Sequence, residues 1–330
     1  MEKKLRWGII STADIGIKAV MPAIQQSATG VLAAVASRNL DKSEAVRAQF
    51  GMDKAYGTYE ELLADPEIDA VYIPLPNHLH REWAIKAMEA GKHVLCEKPL
   101  ALNAAEASEM AQTSARTGMV LAEAFMYRHH PRLDRVRELI EQGEIGEIRG
   151  IRSVFTFNNP DTTNIRAKRE YGGGGLYDVG CYPLSAARLI LGAEPVAATV
   201  QAQFSDAHDG VDMMASGLVE FPGGVGLTFD CGMWAEGREF LEILGSRGRI
   251  EVPHTFTAGE KNTAFTVYKD GISREERPEG VNSYVLEVDD VAAAAFGLRQ
   301  PRFEAEDAVH NMRLIDACLQ SARERRRVEL

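Results

Sequence analysis

The chain has 330 residues, with 48 acidic side chains against 37 Lys and Arg and a formal net charge of −11. That length suits two domains, each able to bury its own core. The acidic balance argues against a nucleic-acid or anionic-membrane partner, which would need a basic footprint, yet leaves room for an anion held in a local pocket. Four scattered cysteines (Cys96, Cys181, Cys231 and Cys318) form no C-x-x-C pair, a usage that fits a reducing, cytoplasmic compartment. No run of about 18 apolar residues offers a membrane span, and the opening MEKKLRWGIISTADIG carries no signal-peptide core.

Short apolar runs alternate with amphipathic segments through the first third. Residues 5–10 (LRWGII) read as a buried strand, 15–26 as a helix and 31–36 as a second strand. A helix is expected over 41–50 with Asp41 as its N-cap, and a short one over 58–64. Strands at 70–73 and 93–96 frame a helix over 77–90 that Gly91 ends. A helix over 104–117, stopped by Gly118, precedes a strand at 119–122. Such alternation builds right-handed βαβ units, so residues 1–122 are expected to form an α/β, doubly wound parallel sheet of the nucleotide-binding kind.

The rhythm changes after Glu123. A helix over 133–142 is followed by EIRGIRSVFTF (147–157), which alternates like a half-exposed strand, and by a helix over 174–191. Period-two runs recur at 196–204, 214–221, 226–233, 240–244, 249–252 and 264–268, and helices near 285–297 and 305–327 close the chain. Residues 123–330 are therefore expected to form a second α/β domain around a large open, mainly antiparallel sheet. The four glycines at 172–175 stand before a helix and are more than a linker.

Between first strand and first helix, a dinucleotide fingerprint places three glycines, for a tight turn, close approach of pyrophosphate and helix–strand contact. Here Ser11-Thr12-Ala13-Asp14-Ile15-Gly16 keeps only the last. Ser and Ala are small enough to leave N–H groups at the helix start within reach of a pyrophosphate; an ordinary strand–helix turn is the alternative. The second strand ends in Ala36-Ser37-Arg38-Asn39, with no acid before Asp41. An NAD-selective site carries Asp or Glu there for the ribose 2′-OH, whereas a hydroxyl and a guanidinium suit a 2′-phosphate. NADP is thus expected ahead of NAD, with Ser11, Thr12, Ala13, Ile15, Ser37 and Arg38 around it.

Lys98, in Cys96-Glu97-Lys98-Pro99-Leu100, follows a strand at the sheet edge where this fold binds ligands. Its ammonium could polarise a carbonyl or hand on a proton, and the following proline constrains the loop, through a cis bond if one forms. Farther on, Tyr171-Gly172-Gly173-Gly174-Gly175-Leu176-Tyr177-Asp178-Val179-Gly180-Cys181-Tyr182 joins a glycine-rich helix entry to an acid and a tyrosine four residues apart. The pairs His78/His80 and His129/His130 lack companion ligands at metal spacing, so no metal is expected.

Together with Leu75-Pro76-Asn77-His78-Leu79-His80 and Ala122-Glu123-Ala124-Phe125, these stretches resemble the glucose–fructose oxidoreductase/inositol dehydrogenase/MocA family in order and spacing, over essentially the whole chain. Tyr182 stands where many members have His, as in the NADP-dependent xylose dehydrogenase and dimeric dihydrodiol dehydrogenase branches. The resemblance implies an N-terminal Rossmann domain and a C-terminal α/β domain whose open sheet makes a homodimer or tetramer. It also implies that the helix over 174–191 packs back towards the cofactor domain, so that one active site draws on both domains. By the same resemblance Lys98 is the catalytic lysine, Asp178 the substrate-binding acid and Tyr182 a proton-transfer group. Leu75, Pro76, Asn77, His80, Glu97 and Arg166 become cofactor contacts, although the Trp that precedes the Arg in relatives is Ile165 here. For Asn77 and His80 a helix cap and a packed imidazole suit the residues equally well, and Tyr127-Arg128-His129-His130-Pro131 suits either a substrate-pocket wall or an inter-domain hinge. The implied activity is hydride transfer between NADP and a CH–OH or C=O carbon of a sugar or polyol, of the aldose dehydrogenase type. Trans-dihydrodiol dehydrogenase, ketosugar reductase, NAD(P)-dependent glycosidase and a non-catalytic NADP-sensing regulator are the alternatives.

Overall fold

The apolar runs of the first third become strands of one parallel sheet in a computed structural model that describes residues 3–330. The strands are β1 (Leu5–Ile10), β2 (Gly30–Ala36), β3 (Lys54–Tyr56), β4 (Ala70–Ile73), β5 (His93–Glu97) and β6 (Leu121–Ala124), in the order β3-β2-β1-β4-β5-β6. Between them run α1 (Met21–Gln26), α2 (Leu40–Phe50), α3 (Tyr59–Ala64), α4 (His80–Glu89) and α5 (Ala104–Thr117). The strand order reverses between β1 and β4, the place where such sheets bind ligands beyond the strands' carboxyl ends. Asn39, not Asp41, caps α2: its side chain accepts the Lys42 N–H at 3.2 Å, and Asp41 falls in the first turn. Thr58 and Glu61 close α3 with a reciprocal capping box. β6 begins two residues later than expected, because Met119 still serves the end of α5, its carbonyl accepting the Ser114 hydroxyl at 2.6 Å.

The later alternating runs make a nine-stranded sheet. Its strands are β7 (Ile148–Asn158), β8 (Ala197–Ser205), β9 (Val211–Glu220), β10 (Gly226–Gly232), β11 (Trp234–Gly245), β12 (Gly248–Pro253), β13 (Phe265–Lys269), β14 (Ile272–Glu276) and β15 (Val328–Glu329), ordered β14-β13-β12-β11-β7-β10-β9-β8-β15. β7 and β10 run parallel, and the other neighbours are antiparallel. Along β9 and β10, Val219, Leu227 and Cys231 are buried while Ser216, Leu218, Thr228 and Asp230 are exposed, the alternation of a sheet covered on one face. α6 (Pro131–Glu141) leads into this unit, and α7 (Cys181–Leu191) packs against β7 and β10. β3 and β14 fall outside the sequence expectation because they are short and half-buried or exposed, without an apolar alternation, and β15 because it has only two residues. β11 starts six residues before the expected run, where a bulge between Trp234 and Arg238 breaks the period.

α8 (Ser283–Ala295) belongs to the first unit, not the second. Its Val288, Val291 and Ala292 enter the same core as Trp7, Ile9, Val35, Tyr72 and Leu95, and its Asp289 accepts the Ser27 hydroxyl at 2.5 Å. The first unit thus extends to His129 and takes in Asn282–Val309; the second comprises His130–Val281 and His310–Leu330, with α9 (Ala305–Glu324) beginning in one and ending in the other. The sequence suggested a single break near residue 122. Among the described residues no helix is long and apolar enough to cross a membrane.

Candidate active site

At the end of β1 the chain turns with Ser11 at φ 130°, a conformation that favours glycine and shows what the missing first glycine would have done. Two bonds hold it. Its N–H donates to Ala36 O at 3.0 Å, and its hydroxyl accepts the Ala13 N–H at 3.1 Å. The retained Gly16 faces Tyr72 and Pro74 of the β4 end, where an added Cβ would sit 3.6 and 3.7 Å away. Thr12 and Ala13 are half-buried and Ile15 is exposed. At the end of β2, Ser37 is buried with its hydroxyl accepting the Asn39 N–H at 3.2 Å, while Arg38 is exposed beside the Tyr59 hydroxyl. Burial pushes that phenol up and the Arg38 guanidinium pulls it down. Small residues at the first turn and a cation at the second fit a dinucleotide bearing a 2′-phosphate.

Lys98 sits in a loop fixed from several directions. Its bond to Pro99 is cis. Next to it, the Leu100 N–H donates to Glu123 Oε1 on β6 at 2.8 Å, and the Tyr72 hydroxyl donates to Glu97 Oε1 at 2.5 Å. His80 Nδ1 lies 3.0 Å from Pro99 O and Nε2 2.8 Å from Leu75 O. Its ring is fully buried, which pushes the pKa down to about 4 against the pull of those carbonyls. The neutral ring then donates through one nitrogen only. Both polar atoms of His80 face main chain, the packed-imidazole arrangement that the sequence also allowed. It ties the Leu75-Pro76-Asn77 turn to the lysine loop. Leu75 is buried and Pro76 and Asn77 are half-buried at the β4 end.

The run from Tyr127 to His130 is buried. Arg128 pairs with Asp307 at 2.5 Å and stacks on Phe125 and Phe303 at 4.5 and 5.1 Å, and the division between the two units falls after His129.

In the second unit the glycine run is dictated by close packing. A Cβ on Gly173 would stand 2.3 Å from Arg166 O, and one on Gly174 would stand 2.2 Å from Asp212 Oδ1. A wider π-type turn, Leu176–Gly180, carries Asp178 and runs into α7, whose first turn carries Tyr182; such turns cluster at functional sites. Arg166 Nε donates to Asp178 Oδ2 at 2.8 Å, which ties this arginine to the helix entry. The Tyr182 ring is buried to 7% exposure between Phe155 and Phe256, at 5.1 and 5.3 Å. Sequence reasoning missed Asp212 and the two phenylalanines, and named Glu123 only within a motif, without its bond to the lysine loop. Asp212 left a trace, as an acid inside the apolar run Val211-Asp212-Met213-Met214. Among the described residues no group of three His, Cys, Asp or Glu is placed to hold a metal.

Two family profiles match the chain between residues 5 and 251. "Oxidoreductase family, NAD-binding Rossmann fold" matches residues 5–125 and "GFO/IDH/MocA C-terminal domain" matches residues 133–251. A D-xylose 1-dehydrogenase (NADP(+)) from Haloferax volcanii is 39% identical over 329 residues, 99% of this chain and 100% of that one. The crystal structure of a 3-ketoreductase from Actinomadura kijaniata, in complex with NADP and TDP-benzene, superposes with a TM-score of 0.92 at 30% identity, covering 97% of this chain and 98% of the other. An aldose-aldose oxidoreductase from Caulobacter crescentus, complexed with glycerol, gives a TM-score of 0.93 at 26% identity over 99% of this chain and 100% of that one. With both halves matched, and with a lysine at the end of β5 and a glycine-opened helix bearing Asp178 and Tyr182, the chain belongs to the GFO/IDH/MocA family of NAD(P)-dependent oxidoreductases.

Proposed function

We propose that the protein is an NADP-dependent dehydrogenase of the CH–OH group of a sugar or sugar-like polyol, of the aldose dehydrogenase type. The observation that carries this reading is the lysine loop. Lys98 leaves β5 at the ligand-binding edge of the sheet, and its neighbours are pinned by His80 and Glu123, the preorganisation a proton-transfer group needs. Ser37 and Arg38 would hold a 2′-phosphate, and Ser11, Thr12 and Ala13 would cradle the pyrophosphate. A nicotinamide bound there supplies hydride acceptance or donation at its C4. The single proton of the substrate hydroxyl passes to Tyr182 or Lys98, whichever of the two stands deprotonated, or to one and on to the other in relay. Asp178, oriented by Arg166, receives hydrogen bonds from neighbouring hydroxyls and sets the pose. The similarity to a 3-ketoreductase favours a second reading, reduction of a keto-sugar by the same groups in reverse.

A panel of aldoses, trans-diols, keto-sugars and glycosides with NADP or NADPH separates these readings. NADPH formation from an aldose is the expected outcome, and Lys98→Met and Tyr182→Phe each lower kcat by about 10²–10⁴-fold with cofactor affinity kept. NADPH consumption by keto-sugars alone favours the reductase. Glycoside cleavage without net NADPH identifies the glycosidase mode, and NADPH binding without turnover of any substrate leaves only a sensor.

The uncovered sheet face, with Leu218 at 41% exposure beside Thr228 and Asp230, supports self-association of two copies through this sheet. Sedimentation velocity showing a monomer at every concentration overturns that part. Four buried, unbridged cysteines support the cytoplasm as its compartment; fractionation of cells tests it, and recovery outside the cytoplasm overturns it.

A further inference from the structure

The glycine run offers no side chain to close the start of the helix that bears Asp178 and Tyr182. A carboxylate from another strand does so instead. Asp212, the second residue of β9 and 2% exposed, accepts the Leu176 N–H through Oδ2 at 2.7 Å. The fit is tight on both sides: a Cβ on Gly174 would meet Asp212 Oδ1 at 2.2 Å, and one on Gly175 would meet Gly232 Cα at 3.0 Å. Gly174 also stands at φ 125°. The missing side chains at 174 and 175 are what let a buried carboxylate reach the helix.

We propose, building on the dehydrogenase reading above, that Asp212 is a positioning residue for this site, its carboxylate fixing the helix entry and so the direction in which Asp178 and Tyr182 meet the substrate. An asparagine would offer the same acceptor without a charge to desolvate, so a carboxyl at this buried point is costly for stability alone. Its advantage lies in the bond it makes, since N–H groups at a helix start hold an anion more firmly than a neutral oxygen.

Burial pushes the Asp212 carboxyl up to about 7, opposed by the N–H groups of Leu176, Gly175 and Asp212 itself and by the Arg323 guanidinium on α9. From β10 it is faced by the buried Cys231 thiol, with Cys181 on α7 and Cys318 on α9 beyond it. Asp230 on β10 is exposed and bonded to Ser216, and Glu236 on β11 is exposed. The turn before β9 brings Asp206 and His208, whose imidazole pairs with the Ser205 hydroxyl. The N–H bonds to the Asp212 carboxyl favour its ionised form over a local opening that breaks them while the carboxyl stays buried. Against such openings the grip strengthens as pH rises through neutrality, whereas the burial cost counts against the fold as a whole.

Two readouts on the NADP-loaded parent chain, Asp212→Asn and Asp212→Ala test this. The first is the pH profile of kcat/KM for aldose oxidation. The second is hydrogen exchange of amides 175–182, corrected for intrinsic rate. In the parent chain, kcat/KM and amide protection are expected to rise together across pH ~7 by about tenfold, the worth of one charge-assisted hydrogen bond. Asp212→Asn keeps partial protection but loses that rise, and Asp212→Ala loses protection at every pH, with NADPH affinity unchanged in both. An unaltered rise in Asp212→Asn overturns the inference, and that variant decides the matter if Asp212→Ala does not fold. Should no aldose be oxidised, the dehydrogenase reading fails, while exchange alone still decides for or against Asp212.

Discussion

At the end of β2 a guanidinium stands where a carboxylate would select NAD, and the two side chains have opposite preferences for a 2′-phosphate. Arg38→Ala is expected to raise the KM for NADP about 10- to 100-fold, the range of a lost charge-assisted hydrogen bond, and to leave that for NAD within about twofold. Steady-state kinetics with both cofactors checks this; an unchanged NADP KM assigns Arg38 to the surface. Arg38 stands out in the sequence by its type and its offset from the first turn, and Lys98, Asp178 and Tyr182 stand out by the short motifs that carry them. Their supports do not. His80 reaches Pro99 and Glu123 reaches Leu100 only because α4, β5 and β6 are neighbours, and Arg166 reaches Asp178 across a loop. A motif names a candidate side chain, whereas tertiary contact names those that hold its loop.

Elements repeat this division. Strands with an apolar run and helices with a cap or a stopping glycine could be read from local pattern, which is why β1, β4 and α5 match the expectation closely. α2 differs at its start, since Asn39 and Asp41 are both good caps and only the φ/ψ of the entering chain chooses between them. The glycines at 172–175 mark a helix entry in the sequence, but the partner strand is not visible there. Two glycines separate backbone geometry from packing. Gly51 has φ +66° with no atom within 4 Å of an added Cβ, whereas Gly174 has φ +125° and meets Asp212. Gly51→Ala is expected to cost about 1 kcal/mol, the left-handed penalty alone. Gly174→Ala adds a steric clash that overpacking costs at about 1–3 kcal/mol more. Urea unfolding of the two variants checks the difference, and equal losses would mean that the Asp212 contact yields freely.

For the whole molecule, the buried histidines set one slope of stability with pH. Burial pushes His129 down to about 3, with Arg302, Arg128 and Arg299 adding to the effect, and His80 to about 4. Both rings are neutral when folded and take up a proton near pH ~6.5 when unfolded. Their contribution is therefore full above that value and is lost as pH falls towards 4. Asp212 and Glu287 are shifted upward by burial and act in the opposite sense, favouring the fold at lower pH. His129→Gln, which cannot titrate, should lose less stability than the parent chain between neutrality and about pH 5. Urea melts at the two pH values read this directly, and equal losses would remove His129 from the account.

The two-part layout was visible from the change in rhythm after Glu123, but the crossing of α8 into the first unit was not, since an amphipathic helix does not announce which core it will enter. That crossing bears on how the chain is made. During synthesis, the nucleotide-binding half emerges from the ribosome first, yet Val288, Val291 and Ala292, which complete its interior, are translated after nearly all of the large sheet. The first half must therefore wait with apolar surface uncovered while the later half is built, which makes a nascent chain halted near His129 a client for chaperones rather than a finished domain.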